Sequence, residues 1–473
     1  MDRLQIDVLK VGEYKKRGAF ELFYKETEGE FVKLFYLNTM YIIFTRLDAI
    51  SDVFNYMKQI LLHYFLTLLR SFNYWKLTVI CLFQRWCICT KKNREETVMN
   101  SIKRNVLLNP GPSTTTDTVK MAQVVPDICP REKEFRSMMK YLREGLVKIV
   151  HGDTEKYTSV LFCGSGTINI DVCINSLLDK GKKVLVVNNG AYSTRAVEIC
   201  QYYGLPYIDL ELSILEPVNL GLVEKTLVEN PDIGLVHTTH NETGTGVLNP
   251  IREIGALAHK YNAIFTVDTT STYAMRPIDL EKDNIDFCMA SAQKGLMSMT
   301  GLSFVVGNRQ LIEKSKNFPK RSYYCNLYMQ YDFFERTGEM HFTPPVQIIY
   351  ATIQALKEYF AEGEDAKWAR HTRVFEEIHK GIEHLGFKDL IRREWQSGLV
   401  VSVIYPNDPN WNFEKIHDYC YERGFTIYPG KVSDTNTFRL CALGAIDTED
   451  IVAFFQVFEE GLRSMHIAIP VEY

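Results

Sequence analysis

Long uncharged apolar runs are missing from the 473-residue chain. A membrane-spanning helix needs about 20 consecutive apolar residues. The best stretch, 59–69, is closed by Lys58 and Arg70, and Lys76 and Arg85 interrupt the apolar residues beyond it. A clean transmembrane helix is not supported, and an interfacial amphipathic helix stays open on the same length and charge. An excess of either charge is missing as well: with a formal net charge of −4, no global basic field points to nucleic acid. Cysteine pairs are also missing. None of the eleven cysteines makes a Cys-x-x-Cys spacing, and Cys87 and Cys89 stand one residue too close for that kind of zinc site. A signal peptide with its cleavage site is absent too, so the expectation is a cytoplasmic protein with reduced thiols. No internal repeat or low-complexity tract occurs. What is present, 46% hydrophobic and 24% charged residues, is ordinary for a globular protein and long enough for two or three domains.

The character of the chain changes near residue 98. Before it, aromatic and bulky aliphatic residues crowd together, with 15 Lys/Arg against 11 Asp/Glu. The remainder holds 39 basic and 47 acidic residues. Met99 opens the run "MNSIKRNVLLNPGP" in the manner of a natural start. Residues 1–98 are therefore expected to be an extension of unassigned role, with Met99 an alternative start. From Asn105 onward the pattern is regular. Short apolar runs at 158–162, 183–187, 233–238, 263–267, 287–290 and 302–306 are bounded by Gly, Asn, Asp or Ser. Helix-length segments at 168–178, 194–203 and 251–261 lie between several of them. Such alternation predicts a largely parallel sheet covered by helices. Beyond Pro344 come long helical patterns (347–360, 366–385), short strands (399–404, 425–428) and a last helix at 448–463. The expected division is a large α/β domain over 99–343 and a smaller C-terminal α/β domain over 344–473.

Four features carry chemistry. Gly164-Ser165-Gly166-Thr167 follows a strand and opens a helix, where free N–H groups and the positive end of the helix dipole favour a phosphate. Asp268 ends the apolar run "AIFTVD", a place from which a carboxylate can pair with a protonated ring nitrogen. Lys294 in "SAQKGLMS" follows the strand "DFCMA", and burial would lower its pKa enough for its amine to form an imine. Arg439 in "TNTFRLCALG" offers a guanidinium fork to a carboxylate or phosphonate. Taken singly, each has a plainer reading: a Gly-Ser turn, a cap, a surface lysine, a surface ion pair. Their order along the chain decides between the two.

That order resembles a fold-type I pyridoxal-phosphate enzyme. From Asn105 to about Met465 the chain is similar to class V aminotransferases, through "LLNPGPSTTTDTVK", "YTSVLFCGSGT", "NNGAY", "HNETGTGVLNPI", "FTVDTTSTY", "SAQKG", "FTPPV", "GFTIYPGKVS" and "TFRLCALG". The "IYPGK" run resembles the branch that moves the amino group of 2-aminoethylphosphonate to pyruvate, giving phosphonoacetaldehyde and L-alanine. The resemblance implies pyridoxal 5'-phosphate as cofactor, held as a Schiff base by Lys294, which also shuttles the proton. It implies that Asp268 pairs with the ring nitrogen, that Ser165, Gly166 and Thr167 bind the phosphate, and that Tyr192 stacks on the ring. Thr243 would lie near the ring's phenolic oxygen. Gln293 and Thr343 would complete the phosphate cup, Thr343 coming from a partner subunit, which implies a homodimer. Arg439 would grip the acidic end of each substrate, and Asn109, Pro110 and Gly111 would shape the entrance. Two stretches depart from the family pattern: "DICPREKEF" at 127–135, and Gln293 where an Asn is familiar.

Two other enzyme readings and one outside catalysis stand beside this one. A class V aminotransferase that pairs an amino acid donor such as serine or alanine with glyoxylate would use the same four features. A desulfurase-type lyase would need a mobile-loop cysteine, and Cys325 in "YYCNLY" sits among bulky aromatics, as a core or interface residue would. A non-catalytic protein that kept the fold has no reason to retain Lys294, Asp268 and Arg439 together.

Overall fold

The structure, a computed structural model, describes residues 102–432 and 435–473. The expectations for residues 1–98 and Met99, including the stretch 59–69, lie outside the described residues. Among those described, no helix is long and apolar enough to cross a membrane.

The chain enters through the short strand β1 (Val106–Leu107) and reaches helix α1 (Lys133–Ile149). Strand and helix then alternate: β2 (Tyr157–Cys163), α2 (Thr167–Leu177), β3 (Lys183–Asn188), α3 (Ala191–Tyr202), β4 (Tyr207–Glu211) and β5 (Ile233–Thr239). A tight pair, β6 (Asn241–Glu242) and β7 (Val247–Leu248), precedes α4 (Ile251–Lys260), β8 (Ile264–Asp268), β9 (Phe287–Ser291) and β10 (Leu302–Asn308). Seven strands form one sheet in the order β2-β10-β9-β8-β5-β3-β4. Within it β3 pairs parallel with β4 and β5, and β8 pairs parallel with β5 and β9. Strand β10 runs antiparallel to both its neighbours. The inner strands are continuous apolar runs, such as "KVLVVN" and "LSFVVGN", because helices cover both faces and leave no side for water. Each fully buried Val, Leu or Phe there stabilises the sheet by about 1.5–3 kcal/mol.

Two long helices come next, α5 (Val346–Glu362) and α6 (Glu364–Leu385), and then β11 (Val400–Ile404), β12 (Phe425–Thr426), β13 (Tyr428–Val432), β14 (Thr435–Cys441) and α7 (Thr448–Ser464). Strands β11, β14 and β13 make an antiparallel three-stranded sheet, while β1 pairs parallel with β12. The core beneath the large sheet extends from Val119 to Tyr359 and so includes α5. A second core runs from Val374 to Val471 and takes in Val106 and Leu108 from the start of the described chain. The expected strand at 425–428 is two strands with a break at Ile427. The edge strand β4 "YIDLE" carries too little apolar character to be read from sequence, and its residues are only half-buried or exposed.

This topology gathers the strand ends. The carboxyl ends of β2, β3, β5, β8 and β9 lead into Gly164, Asn189, His240, Thr269 and Ala292, the edge of a parallel sheet where ligands bind. The segment 106–114 ties the two sheets together at that edge. Leu108 N–H donates to Thr426 O (2.8 Å), Cys441 N–H to Leu108 O (3.0 Å) and Ser113 N–H to Gln293 O (2.9 Å).

Candidate active site

Lys294 lies just past β9 with its side chain buried. Its ammonium stands 5.4 Å from the centre of the Tyr192 ring. Burial pushes its pKa below the ordinary lysine value, and the nearby Asp268 carboxylate works against that shift. The backbone of the lysine is pinned from the N-terminal segment, because Ser113 Oγ donates to the carbonyls of Gln293 (3.1 Å) and Lys294 (2.9 Å). Gly111 passes directly over the lysine side chain. A Cβ there would stand 3.1 Å from Lys294 Cγ and Cε, and its φ of +139° is one that side chains rarely adopt. From below, the fully buried Lys367 on α6 donates to Gly295 O (2.6 Å); burial brings its pKa down to about 7. The Lys294 loop is thus held by two residues of the 109–114 segment and by Lys367 of α6.

Asp268 ends β8 and is buried. One carboxylate oxygen accepts from Thr270 N–H (2.8 Å), and its carbonyl accepts from His240 N–H (2.9 Å). Burial holds His240 neutral, its pKa down to about 3. Tyr192 opens α3, whose N-cap Gly190 supplies no side-chain cap. Glu242 from β6 does that work. Its carboxylate accepts from the N–H groups of Tyr192 (3.1 and 3.2 Å) and Ser193 (3.3 Å), and burial pushes its pKa up to about 7. Next to it, the buried Thr243 turns its carbonyl to Arg439.

Arg439 lies on the central strand of the small sheet, paired in register with Ser402 and Tyr428. It is almost fully buried. Its Nη atoms donate to Thr243 O (3.3 Å) and Pro429 O (3.0 Å), its Nε has no partner, and Tyr428 packs 4.8 Å from its carbon. Among the described residues no carboxylate lies within ion-pair distance of it. A buried guanidinium without an acid is costly unless an anion is to arrive. Burial raises the Tyr192 hydroxyl above its ordinary pKa, opposed by the charges of Arg439 and Arg195, while Glu242 and Asp268 add to it. That one ring therefore feels charged groups of the site that lie far apart in sequence.

The Gly164–Thr167 turn lies between β2 and α2. Among the described residues the N–H groups of Ser165, Gly166 and Thr167 have no acceptor. Thr270 Oγ1 and Ser291 Oγ lie 3.2 and 3.5 Å from where a Cβ on Gly166 would stand. Both hydroxyls are buried without a hydrogen-bond partner, as is Gln293 Oε1. Asn109 is buried with Nδ2 on Pro112 O (3.2 Å), and its Oδ1 is also unpartnered. Thr343 is exposed on this chain, with its carbonyl accepting from Cys163 Sγ (3.5 Å). Its loop is tied to the 127–135 stretch by Arg131, which donates to Glu339 (2.6 Å), and to Arg136 just beyond it, which donates to the same carboxylate (2.7 Å). Cys325 is half-buried, and burial pushes its thiol up to about 11, unlike an activated nucleophile.

Sequence reading misses Ser113, Glu242, Lys367 and Arg195. The first two fall inside the family-like stretches "PSTTT" and "HNETG", but their parts depend on backbone groups that no residue pattern reveals.

Fold and site together define an enzyme built on the fold-type I plan, with its lysine and aspartate on the large sheet and its arginine on the small one. The chain belongs to the aminotransferase class-V family, whose pattern matches residues 118–432. It is 36% identical over 357 residues to the bifunctional phosphonoacetaldehyde hydrolase/aminoethylphosphonate transaminase of Clostridioides difficile (strain 630), covering 75% of this chain but only 56% of that longer protein. It is 34% identical to the 2-aminoethylphosphonate–pyruvate transaminase of Phocaeicola vulgatus, over 73% of this chain and 95% of that one. Among solved structures, ureidoglycine–glyoxylate aminotransferase from Bacillus subtilis superposes with a TM-score of 0.71 at 19% identity, covering 78% of this chain and 95% of its own. Alanine–glyoxylate aminotransferase from Nostoc sp. gives 0.71 at 21% identity, covering 77% and 96%. At those identities the two structures share the fold.

Proposed function

We infer that the protein transfers the amino group of 2-aminoethylphosphonate to pyruvate with pyridoxal 5'-phosphate as cofactor, giving phosphonoacetaldehyde and L-alanine. The observation that carries this reading is the buried, acid-free Arg439, which the Thr243 carbonyl beside Glu242 ties to the side of the large sheet that holds Tyr192 and Lys294. Both substrates end in an oxyanion, and a guanidinium fork accepts a phosphonate or a carboxylate equally well. The names of the relatives at 34–36% identity support the donor.

The residues present fit the cofactor. The unclaimed N–H groups of the 165–167 turn, with the Ser165 and Thr167 hydroxyls and the donor end of the Gln293 amide, suit a phosphate dianion. Bound there, pyridoxal phosphate supplies an electron sink and the carbonyl that carries the amino group. Asp268 would keep the ring nitrogen protonated, Tyr192 would cover a ring face, and Thr243 would lie near the phenolic oxygen. The Lys294 amine, lowered by burial, is the base that takes the proton from the substrate carbon and returns it on the way out. Arg439 fixes the acid end so that this proton faces the lysine. Asn109, Pro110 and Gly111 would border the entrance, with Gly111 lying against the lysine's methylenes. We further infer a cytoplasmic homodimer in which the exposed Thr343 serves the partner's phosphate cup, and a division of labour between a large domain (99–343) and a small one (344–473).

The test is a donor screen with purified protein: 2-aminoethylphosphonate, alanine and serine, each against pyruvate and glyoxylate. Turnover confined to amino acids with glyoxylate would replace this reading by its nearest rival within the family.

A further inference from the structure

Arg195 stands one turn beyond Tyr192 on α3, so the two side chains share a face of the helix. Its guanidinium lies 4.5 Å from the centre of the Tyr192 ring, and Nη1 donates to Thr167 Oγ1 (3.2 Å). Several arginines among the described residues end on carboxylates: Arg104 on Asp450, Arg143 on Glu335, Arg252 on Asp283, Arg370 on Glu362. Among the described residues Arg195 has no carboxylate within ion-pair distance, and Thr167 is its one side-chain hydrogen-bond partner. That partner is the first residue of α2, beside three N–H groups without acceptors. Because Thr167 Oγ1 accepts from Arg195, its own hydrogen is left to donate elsewhere.

We propose that Arg195 is a further binding residue of the phosphate cup, holding the cofactor's phosphate dianion directly and aiming the Thr167 hydroxyl at it. The inference rests on the cofactor assignment above and deepens it. A tetrahedral oxyanion could also reach this guanidinium from the substrate's phosphonate. Arg195 is bonded to the phosphate turn, however, whereas Arg439 is bonded to the small sheet and the Thr243 carbonyl. The cofactor end is therefore the one Arg195 serves. Its charge also acts on the Lys294 amine, adding to the lowering of that pKa which burial begins.

The experiment uses full-length protein stripped of cofactor and titrated separately with pyridoxal 5'-phosphate and with pyridoxal, which lacks the phosphate. Binding is followed by protein fluorescence and visible absorbance for wild type, Arg195→Met and Arg195→Lys. Losing a charge-assisted hydrogen bond should weaken pyridoxal phosphate by about 10- to 100-fold in the Met variant. Pyridoxal affinity should stay within about twofold, and Lys should recover part of the loss. An equal loss for both ligands would overturn the proposal, because Arg195 would then act only by supporting the Tyr192 ring. Unchanged cofactor affinity with a raised KM for 2-aminoethylphosphonate would overturn it in favour of substrate reading. If the Met variant does not fold, a phosphate-selective loss in the Lys variant supports the proposal and an unselective one refutes it. Wild-type protein that binds neither ligand would defeat the cofactor assignment itself, a result separate from these.

Discussion

Replacing Arg439 by lysine should damage both halves of the reaction together. Arg439 already spends two Nη hydrogens on Thr243 O (3.3 Å) and Pro429 O (3.0 Å), which orient the fork. What remains for an anion includes the unpartnered Nε and the rest of the Nη donors. Lysine would keep a point charge but cannot hold two carbonyls and present two parallel donors. Losing one charge-assisted hydrogen bond is worth about 1.5–3 kcal/mol, or roughly 10- to 150-fold in kcat/KM. Arg439→Met should cost more, since nothing then offsets the anion's desolvation. The assay is single-turnover absorbance of the loaded enzyme, with 2-aminoethylphosphonate for one half-reaction and pyruvate for the other. A loss confined to pyruvate would refute the shared-site argument, and no loss in either half would make Arg439 structural.

Lys294→Ala should abolish turnover and the visible absorbance of the loaded enzyme, checked by spectrum and alanine formation; near-normal activity would sink the assignment. Asp268→Asn should lower kcat by more than about a hundredfold, equivalent to roughly 3 kcal/mol, with little change in thermal unfolding. Glu242→Gln tests the buried cap of α3 through pH. The wild-type carboxyl titrates near 7 in the fold and near 4.5 unfolded, so the folded state holds the extra proton and stability falls as pH rises between those values. Melting curves should therefore show wild type losing ground to the variant from about pH 5 to 8, and a constant gap would contradict the raised pKa. Deleting residues 1–98 should leave specific activity unchanged, measured against the full chain.

The strands of the large sheet are legible because burial on both faces writes them as continuous apolar runs, "KVLVVN" and "LSFVVGN" among them. Strand β4 is not, since an edge strand needs no such run. Lys294, Asp268, Arg439 and the 164–167 turn can be named from sequence because each lies on or just past an apolar strand run and the four follow one another in the order of the resembled family. Glu242 and Lys367 are hidden for a physical reason. Glu242 acts on the N–H group of a residue 50 positions away, and Lys367 on a carbonyl 72 positions away, and local pattern records neither approach. Arg195 falls just past the family-like run "NNGAY", one helical turn beyond its last residue.

The central claim is a one-for-one exchange of nitrogen between a phosphonate and pyruvate at Lys294. Phosphorus and proton NMR of one reaction mixture tracks 2-aminoethylphosphonate and alanine together. The account predicts one alanine formed for each donor consumed, and neither change with Lys294→Ala. An untouched phosphonate signal, in protein that still exchanges serine or alanine with glyoxylate, would contradict it.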